Sequence, residues 1–370
     1  MPVEFLGIAG TNPASEVTPR SGGPLDLEYT AKLARAHEDN GWDRILFAYH
    51  SGSPDPAQVA AYVAGRTERI NLVVAHRPNV AYPTLTAKTF ATLDHISGGR
   101  FEVHVITGGS TTDQAAEGDY LTKDNRYGRT REFIQILKQA WTSNERFDFQ
   151  GAHYRFEQFV ADIKPLQQPR PQISFGGSSA AAYAVGAAEA DIFALWGEPL
   201  AGTRDQLSTI DTESTKAGRA DRPTIQIAFR PIIAPTEELA WEKAESILGR
   251  IKTVQAGGVP LNTRLRSKTP ENAGSQRLLK AVEAGERHDR ALWTAPTGLT
   301  GGGGNSTALV GTPDTVAAAL LDYYDLGIRI FSARGYDIYD DAIDFGRYVI
   351  PLVRSEVAHR EQTTRKDLAS

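Results

Sequence analysis

The sequence predicts an α/β protein built as a TIM (β/α)8 barrel with insertions. Three observations lead there. Eight short runs are almost wholly apolar, amphipathic helical stretches separate them, and a glycine- and serine-rich turn, Gln172-Ile-Ser-Phe-Gly-Gly-Ser-Ser179, lies mid-chain. Apolar strands of this kind form parallel sheets covered on both faces. A series of eight argues for a closed barrel rather than an open sheet. The turn follows the fifth run, whereas a dinucleotide fingerprint normally opens its domain.

In chain order, the first strand is Val3–Ile8 and the helix after it Asp26–Asn40. Arg44–Ala48 leads to Pro56–Gly65, Ile70–Ala75 to Thr84–Ile96, and Phe101–Ile106 to Arg126–Thr142. Gln172–Phe175 leads to Ala180–Ala190, Ile192–Leu195 to Leu200–Lys216, and Thr224–Ile233 to Thr236–Gly249. The last strand is Ile328–Ala333, with Asp314–Leu326 the last helix of the series. Residues 1–370 read as a single domain with insertions. Residues 108–125 form a polar loop, and 146–160 a hairpin with Gly151 in its turn. The longest break, 251–306, separates the seventh and eighth strands and ends in Leu299-Thr-Gly-Gly-Gly-Gly-Asn-Ser306. It reads as a mobile lid with glycine hinges. Residues 354–370 read as a charged, solvated tail.

Composition narrows the function classes. The 370 residues are 41% hydrophobic and 23% charged, with a net charge of -5, which is ordinary for a folded core. No basic patch marks a nucleic-acid surface, and no apolar run nears the roughly 20 residues that span a bilayer. Met1-Pro-Val-Glu-Phe-Leu has no secretory character, so a cytoplasmic protein is expected. The absence of cysteine excludes disulfides, thiolate nucleophiles and Fe–S clusters. The eight histidines are scattered without metal-ligand spacing, and no metal is expected.

In such a barrel, function concentrates where strands end. That rule selects Ile8–Asn12, His50-Ser51, His76-Arg77-Pro78, Thr107-Gly-Gly109, Gly176 to Ser179, Trp196-Gly-Glu-Pro199, Arg230 and Arg334-Gly-Tyr336, with Arg126 and Tyr127 beside them. No pair of carboxylates and no G-x-S-x-G elbow is present, which argues against a hydrolase. Backbone N–H groups, hydroxyls, arginines and aromatics suit a large, flat, phosphorylated cofactor that carries the chemistry itself. Gly176, Gly177, Ser178 and Ser179 place N–H groups and hydroxyls at the positive end of a helix, as a phosphate requires. The blander reading is that the serines simply cap that helix.

Several segments together resemble the luciferase-like, FMNH2-dependent monooxygenases, and among them the alkanesulfonate monooxygenases. These are Arg77-Pro-Asn…Pro83-Thr, Ala91-Thr-Leu-Asp-His-Ile-Ser-Gly-Gly-Arg100, Val105-Ile-Thr-Gly108, Arg126-Tyr127, Phe175-Gly-Gly-Ser-Ser179, Trp196-Gly-Glu-Pro199, Thr307-Ala-Leu-Val-Gly311 and Gly335-Tyr336. The resemblance implies a TIM barrel and reduced FMN delivered by a separate NAD(P)H-dependent flavin reductase. It implies dioxygen and a small anionic organic substrate as co-reactants, and a homodimer or homotetramer. Tyr127 and Gly176, Gly177, Ser178 and Ser179 would hold the FMN phosphate, and Thr107 would lie beside the isoalloxazine. Trp196, Arg230 and Tyr336 would serve catalysis and the substrate, joined by His50, His76 and Arg334 as substrate contacts. A non-proline cis peptide is expected near Ala75-His76.

The chain departs from the alkanesulfonate pattern at the substrate end. An Arg-x-His of the seventh strand becomes Ala228-Phe229-Arg230, an arginine opening the glycine-rich segment becomes Thr300 and Gly301, and Gly-Tyr-Pro-His becomes Gly335-Tyr-Asp-Ile338. Arg230 keeps one cation, to which Arg334, Arg264, Arg266 or Arg290 would add another. Oxidative desulfonation of an organosulfonate to aldehyde and sulfite is the leading reading. The alternatives are a monooxygenase with a non-sulfonate substrate, an F420-dependent oxidoreductase, and a flavin-binding protein without turnover.

Overall fold

A computed structural model describes residues 2–257 and 270–369, with side chains as far as residue 363. The eight expected strands are β1 Glu4–Ile8, β2 Arg44–Phe47, β3 Asn71–His76, β4 Phe101–Val105, β5 Ile173–Gly176, β6 Ile192–Trp196, β7 Thr224–Ile233 and β8 Ile328–Ala333. The eight expected helices are α1 Leu27–Asp39, α2 Pro56–Ala64, α3 Pro83–Ser97, α4 Lys123–Thr142, α5 Ala180–Glu189, α6 Leu200–Lys216, α7 Glu237–Ala256 and α8 Pro313–Asp325. The strands hydrogen-bond in the order β7-β8-β1-β2-β3-β4-β5-β6, and β6 pairs again with β7. This is the closed parallel (β/α)8 barrel. Among the described residues no helix is long and apolar enough to cross a membrane.

The chain divides into two compact units. In the unit of residues 45–194 and 207–223, β3 and β4 run parallel from Leu72 opposite Phe101 to His76 opposite Val105. β5 continues the sheet with Phe175 opposite Val105 on one side and Phe193 on the other. Phe90, Phe101, Phe133, Phe175 and Phe193 fill its core. Because β3 stays regular through His76, the Ala75–His76 peptide is trans, contrary to the sequence-based expectation. The cis peptide found among the described residues is Gln168–Pro169. α4 starts a turn earlier than expected because Thr122 caps it, its hydroxyl accepting from Asn125 N at 3.5 Å. A short helix, Thr111–Ala115, occupies the polar loop before it. Strands Phe147–Gln150 and Arg155–Phe159 form an antiparallel hairpin. The Glu132 carboxylate accepts from the N–H groups of Ala152, His153 and Tyr154 in the hairpin's turn, at 2.7 to 3.1 Å.

The other unit holds Met1–Arg44, Leu195–Gln206 and Thr224–Ser370. β1 and β8 pair with Phe5 opposite Phe331. β7 is long enough to take a further partner beside β8 and β6. Residues up to Phe229 pair with β8, and from Arg230 onward with an additional strand, Ala308–Gly311. That strand went unrecognised because it is short and lies beside the glycine-rich run. An apolar cluster that includes Val17, Ile232, Ile247, Ile251, Trp293 and Tyr336 packs beneath it.

Two sequence expectations change in this unit. The described part of 251–306 is not a plain loop. α7 runs on to Ala256, and helix Ala273–Ala284, strands Arg287–His288 and Leu292–Trp293, and helix Ala295–Leu299 follow. Arg264 and Arg266 lie outside the described residues. Two glycines of the run pack closely: a Cβ on Gly302 would lie 2.6 Å from Ser275 O, and one on Gly304 2.3 Å from Trp196. The tail after Val353 continues a helix, Ile350–Ala369, with Val353 and Val357 buried and Arg354 donating to both carboxylate oxygens of Asp43.

Candidate active site

The expected phosphate residues lie together in the first unit. β5 ends at Gly176, and Ser179 caps α5, its Oγ accepting from Ala182 N at 3.3 Å. Tyr127, from the first turns of α4, brings its hydroxyl to Ser179 and packs edge-on against Phe175, with ring centroids 6.3 Å apart. A Cβ on Gly177 would sit 2.6 Å from that of Ala182 and 3.4 Å from Tyr127 Oη. A Cβ on Gly176 would meet Ala194 O at 2.9 Å. Side chains at either glycine would collide with Ala194 or Ala182, so glycine lets the turn before α5 pack against its neighbours. Burial raises the Tyr127 hydroxyl above its ordinary pKa, so it stays a protonated donor at neutral pH.

Thr107 is buried, and its hydroxyl shares a 3.1 Å hydrogen bond with Thr130 of α4, one turn from Tyr127. His50 closes a turn, Nδ1 accepting from Gly52 N at 3.1 Å. His76 stacks on Phe133 at 5.3 Å between centroids and meets Phe90 edge-on at 5.1 Å. Burial pulls its pKa down to about 4, so it is neutral at pH 7. Next to it, buried Arg77 donates to Glu117 and Asp113, which tethers the 111–117 segment.

Arg230, Arg334 and Tyr336 form a second cluster, in the other unit. Arg230 is buried and fully engaged: Nε donates to Asn305 O at 2.7 Å, one terminal nitrogen to Gly335 O at 3.1 Å, and the other to Glu16 Oε1 at 2.6 Å. Glu198, the acid at the end of β6, pairs with Arg277 at 2.6 Å. Arg334 donates to the same Glu16 oxygen at 3.1 Å. Arg290, another candidate cation, is bound to Asp322 at 2.9 Å. Burial favours neutral Glu16, but the two guanidinium groups outweigh it and hold the carboxyl far below its ordinary pKa. Burial pushes Tyr336 up to about 12, and the Arg230 guanidinium lies 5.0 Å from its ring centroid. The Tyr336 N–H donates to Asp341, itself paired with Lys243. Trp196 ends β6 and packs against Gly274 and Gly304. Sequence reading overlooked Glu16. The strand-end rule reached only Asn12, and the one available signal was an acid further along the same loop.

The luciferase-like monooxygenase family matches residues 7–329. Solved structures of similar fold include a riboflavin lyase with modified FMN and substrate riboflavin. It is 22% identical, covers 96% of this chain and 92% of that one, and has a TM-score of 0.78. EDTA monooxygenase from Chelativorans sp. BNC1 is 18% identical, covers 96% and 94%, and has a TM-score of 0.76. The coenzyme F420 dependent tetrahydromethanopterin reductase from Methanopyrus kandleri is 17% identical, covers 95% and 99%, and has a TM-score of 0.68. These distant likenesses speak for the fold, while the family match spans most of the chain. The chain therefore belongs to the luciferase-like monooxygenase family and is an oxidoreductase.

Proposed function

We propose that the protein is a two-component monooxygenase that uses reduced FMN and dioxygen on a small anionic organic substrate, with oxidative desulfonation to an aldehyde and sulfite as its reaction. The observation that carries the reading is the convergence of Tyr127, Gly177 and Ser179 at the N-terminus of α5 in a chain of this family. A separate NAD(P)H-dependent flavin reductase would supply the reduced FMN, and the working enzyme would be a homodimer or homotetramer. When bound, reduced FMN supplies the two electrons that let one oxygen atom enter the product and the other leave as water.

The chain's own residues hold and orient. Tyr127 donates a hydrogen bond to the phosphate, supported by Ser178, Ser179 and the α5 N–H groups, on the turn that Gly176 and Gly177 form. Thr107 would flank the flavin ring. Arg230 and Arg334 supply positive charge for a substrate anion, Arg230 through its field rather than its fork because its three nitrogens are already engaged. Tyr336 keeps its proton at neutral pH and serves as a donor. Trp196 forms an apolar wall that excludes water. His50 and His76 stay in the proposal as substrate contacts, His76 in its neutral form.

The test supplies FMN, a flavin reductase, NADH and a panel of sulfonates, and measures sulfite. Substrate-dependent sulfite release is the expected result. Hydrogen peroxide alone, whatever the substrate, would reject desulfonation and leave a flavin-binding role. Binding of F420 with no binding of FMN in either redox state would reject the cofactor. Light scattering on the eluted protein reads the oligomeric state.

A further inference from the structure

A single guanidinium fastens the polar segment after β4 to the neighbouring strand ends. Arg77, just beyond β3, is 2% exposed; one terminal nitrogen donates to Glu117 at 2.6 Å and the other to Asp113. The loop after β2 grips the same two acids: Ser51 Oγ donates to Asp113 at 2.5 Å, and Tyr49 Oη donates to Glu117. Parting these groups would strand a buried charge, so the segment stays where Arg77 holds it.

Between the two acids in sequence, Gln114 is fully buried. With its amide turned to satisfy both neighbours, it accepts from Arg77 Nε at 3.2 Å and donates to Asp119 at 2.8 Å. Asp119 in turn accepts from Arg129 of α4 at 3.2 Å. A Cβ on Gly108 would stand 1.5 Å from the Gln114 amide nitrogen, and Gly108 has a φ of 94°. Glycine alone admits both that backbone and that neighbour. The Thr107 hydroxyl is shared with Thr130 of α4. The Thr107-Gly108 backbone is thus held between α4 and the segment that Arg77 fastens. Thr107 is buried, Gly108 half-buried and Gly109 exposed, so this strand end presents backbone outward rather than the threonine side chain.

We propose that Arg77 is a positioning residue for the flavin-ring end of the site. Through Asp113 and Glu117 it seats Gln114 against Gly108, and so fixes the Gly108-Gly109 backbone as the surface that flanks the ring. The proposal rests on the reading of Thr107 and its neighbours as the edge of a flavin site. Arg77 itself touches no ligand in this role.

Flavin titrations of the full chain test it, with reduced FMN and reduced riboflavin as probes under exclusion of oxygen. The two share the ring and differ at the phosphate, so their affinity ratio reports the phosphate end and their common affinity the ring end. The ammonium of Arg77→Lys lacks the fork that engages both acids, and Gln114→Ala leaves both ion pairs in place. Each variant should weaken the two flavins by about fivefold or more and keep their ratio within about twofold of the wild type. The visible circular dichroism of bound oxidised FMN should change as well, whereas Tyr127→Phe should lower the ratio. Wild-type affinities and dichroism in a folded Arg77→Lys or Gln114→Ala protein would overturn the proposal, since a merely structural role lowers stability alone. A shifted ratio would overturn it too, because the phosphate end would then be disturbed. In both cases FMN binding by the wild type still upholds the cofactor reading. If the wild type binds neither flavin, that reading fails and the role of Arg77 falls with it.

Discussion

Gly304 and Trp196 show how much one missing side chain decides. A Cβ at position 304 would stand 2.3 Å from the indole, so Gly304→Ala must displace Trp196 or the backbone. Overpacking of this kind costs about 1–3 kcal/mol. A urea midpoint lowered by that amount, with reduced turnover, is expected; wild-type stability would mean that Trp196 moves freely. Tyr127→Phe removes one hydroxyl beside Ser179. Loss of a hydrogen bond to a charged phosphate weakens FMN binding by about tenfold or more, while the neutral bond to Ser179 costs folding only about 1 kcal/mol. A flavin titration that shows equal affinity removes Tyr127 from the phosphate site. Both residues were legible as family motifs, but the contact that makes glycine necessary at 304 was not.

At the scale of the element, substitution separates the capping role of Ser179 from the phosphate contact proposed for it. It caps α5 through Ala182 N, so Ser179→Ala should cost about 1 kcal/mol. Ser179→Asp keeps a good cap and a favourable helix charge but places an anion where the phosphate belongs. The expected outcome is a stable protein that has lost FMN binding, read by denaturation and flavin titration on the same sample. If the aspartate variant binds FMN normally, the turn is only a cap, which was the blander reading of its sequence. Helix and strand positions were legible because apolar periodicity is a local property. The start of α4 at Lys123 was less so, since it depends on the cap at Thr122. The short strand at Ala308–Gly311 exists because β7 offers it an edge from Arg230 onward.

Across the whole molecule, buried histidines set the response to acid. Burial lowers His37, His76 and His104 from the ordinary histidine value of 6.5 to about 4. The unfolded chain therefore takes up these protons first as pH falls. Stability is complete above about pH 6.5 and declines toward about pH 4, each histidine contributing up to about 1.4 kcal/mol per pH unit in that window. Urea unfolding should give a lower free energy at pH 5 than at pH 7. His104→Asn, which still faces Ser174, should flatten that slope by about a third. A pH-independent midpoint would contradict the assigned burial. Glu16, with its lowered pKa, loses its contribution only in still stronger acid.

The sequence by itself determined the barrel, since eight apolar runs, each able to pair with its neighbours, leave few ways to bury so much backbone. It also marked the turn proposed to hold a phosphate, because glycines and serines between a strand and a helix carry their meaning locally. Tertiary structure alone decided the surroundings of Arg230 and Arg334, the proposed substrate end. Glu16 meets Arg230 across 214 residues and Arg334 across 318. Such pairings depend on where loops land in space, and no periodicity or spacing along the chain records them. Tertiary structure likewise decided what Gly304 packs against, Trp196, since a glycine's close contacts are set by the neighbour that fills its place.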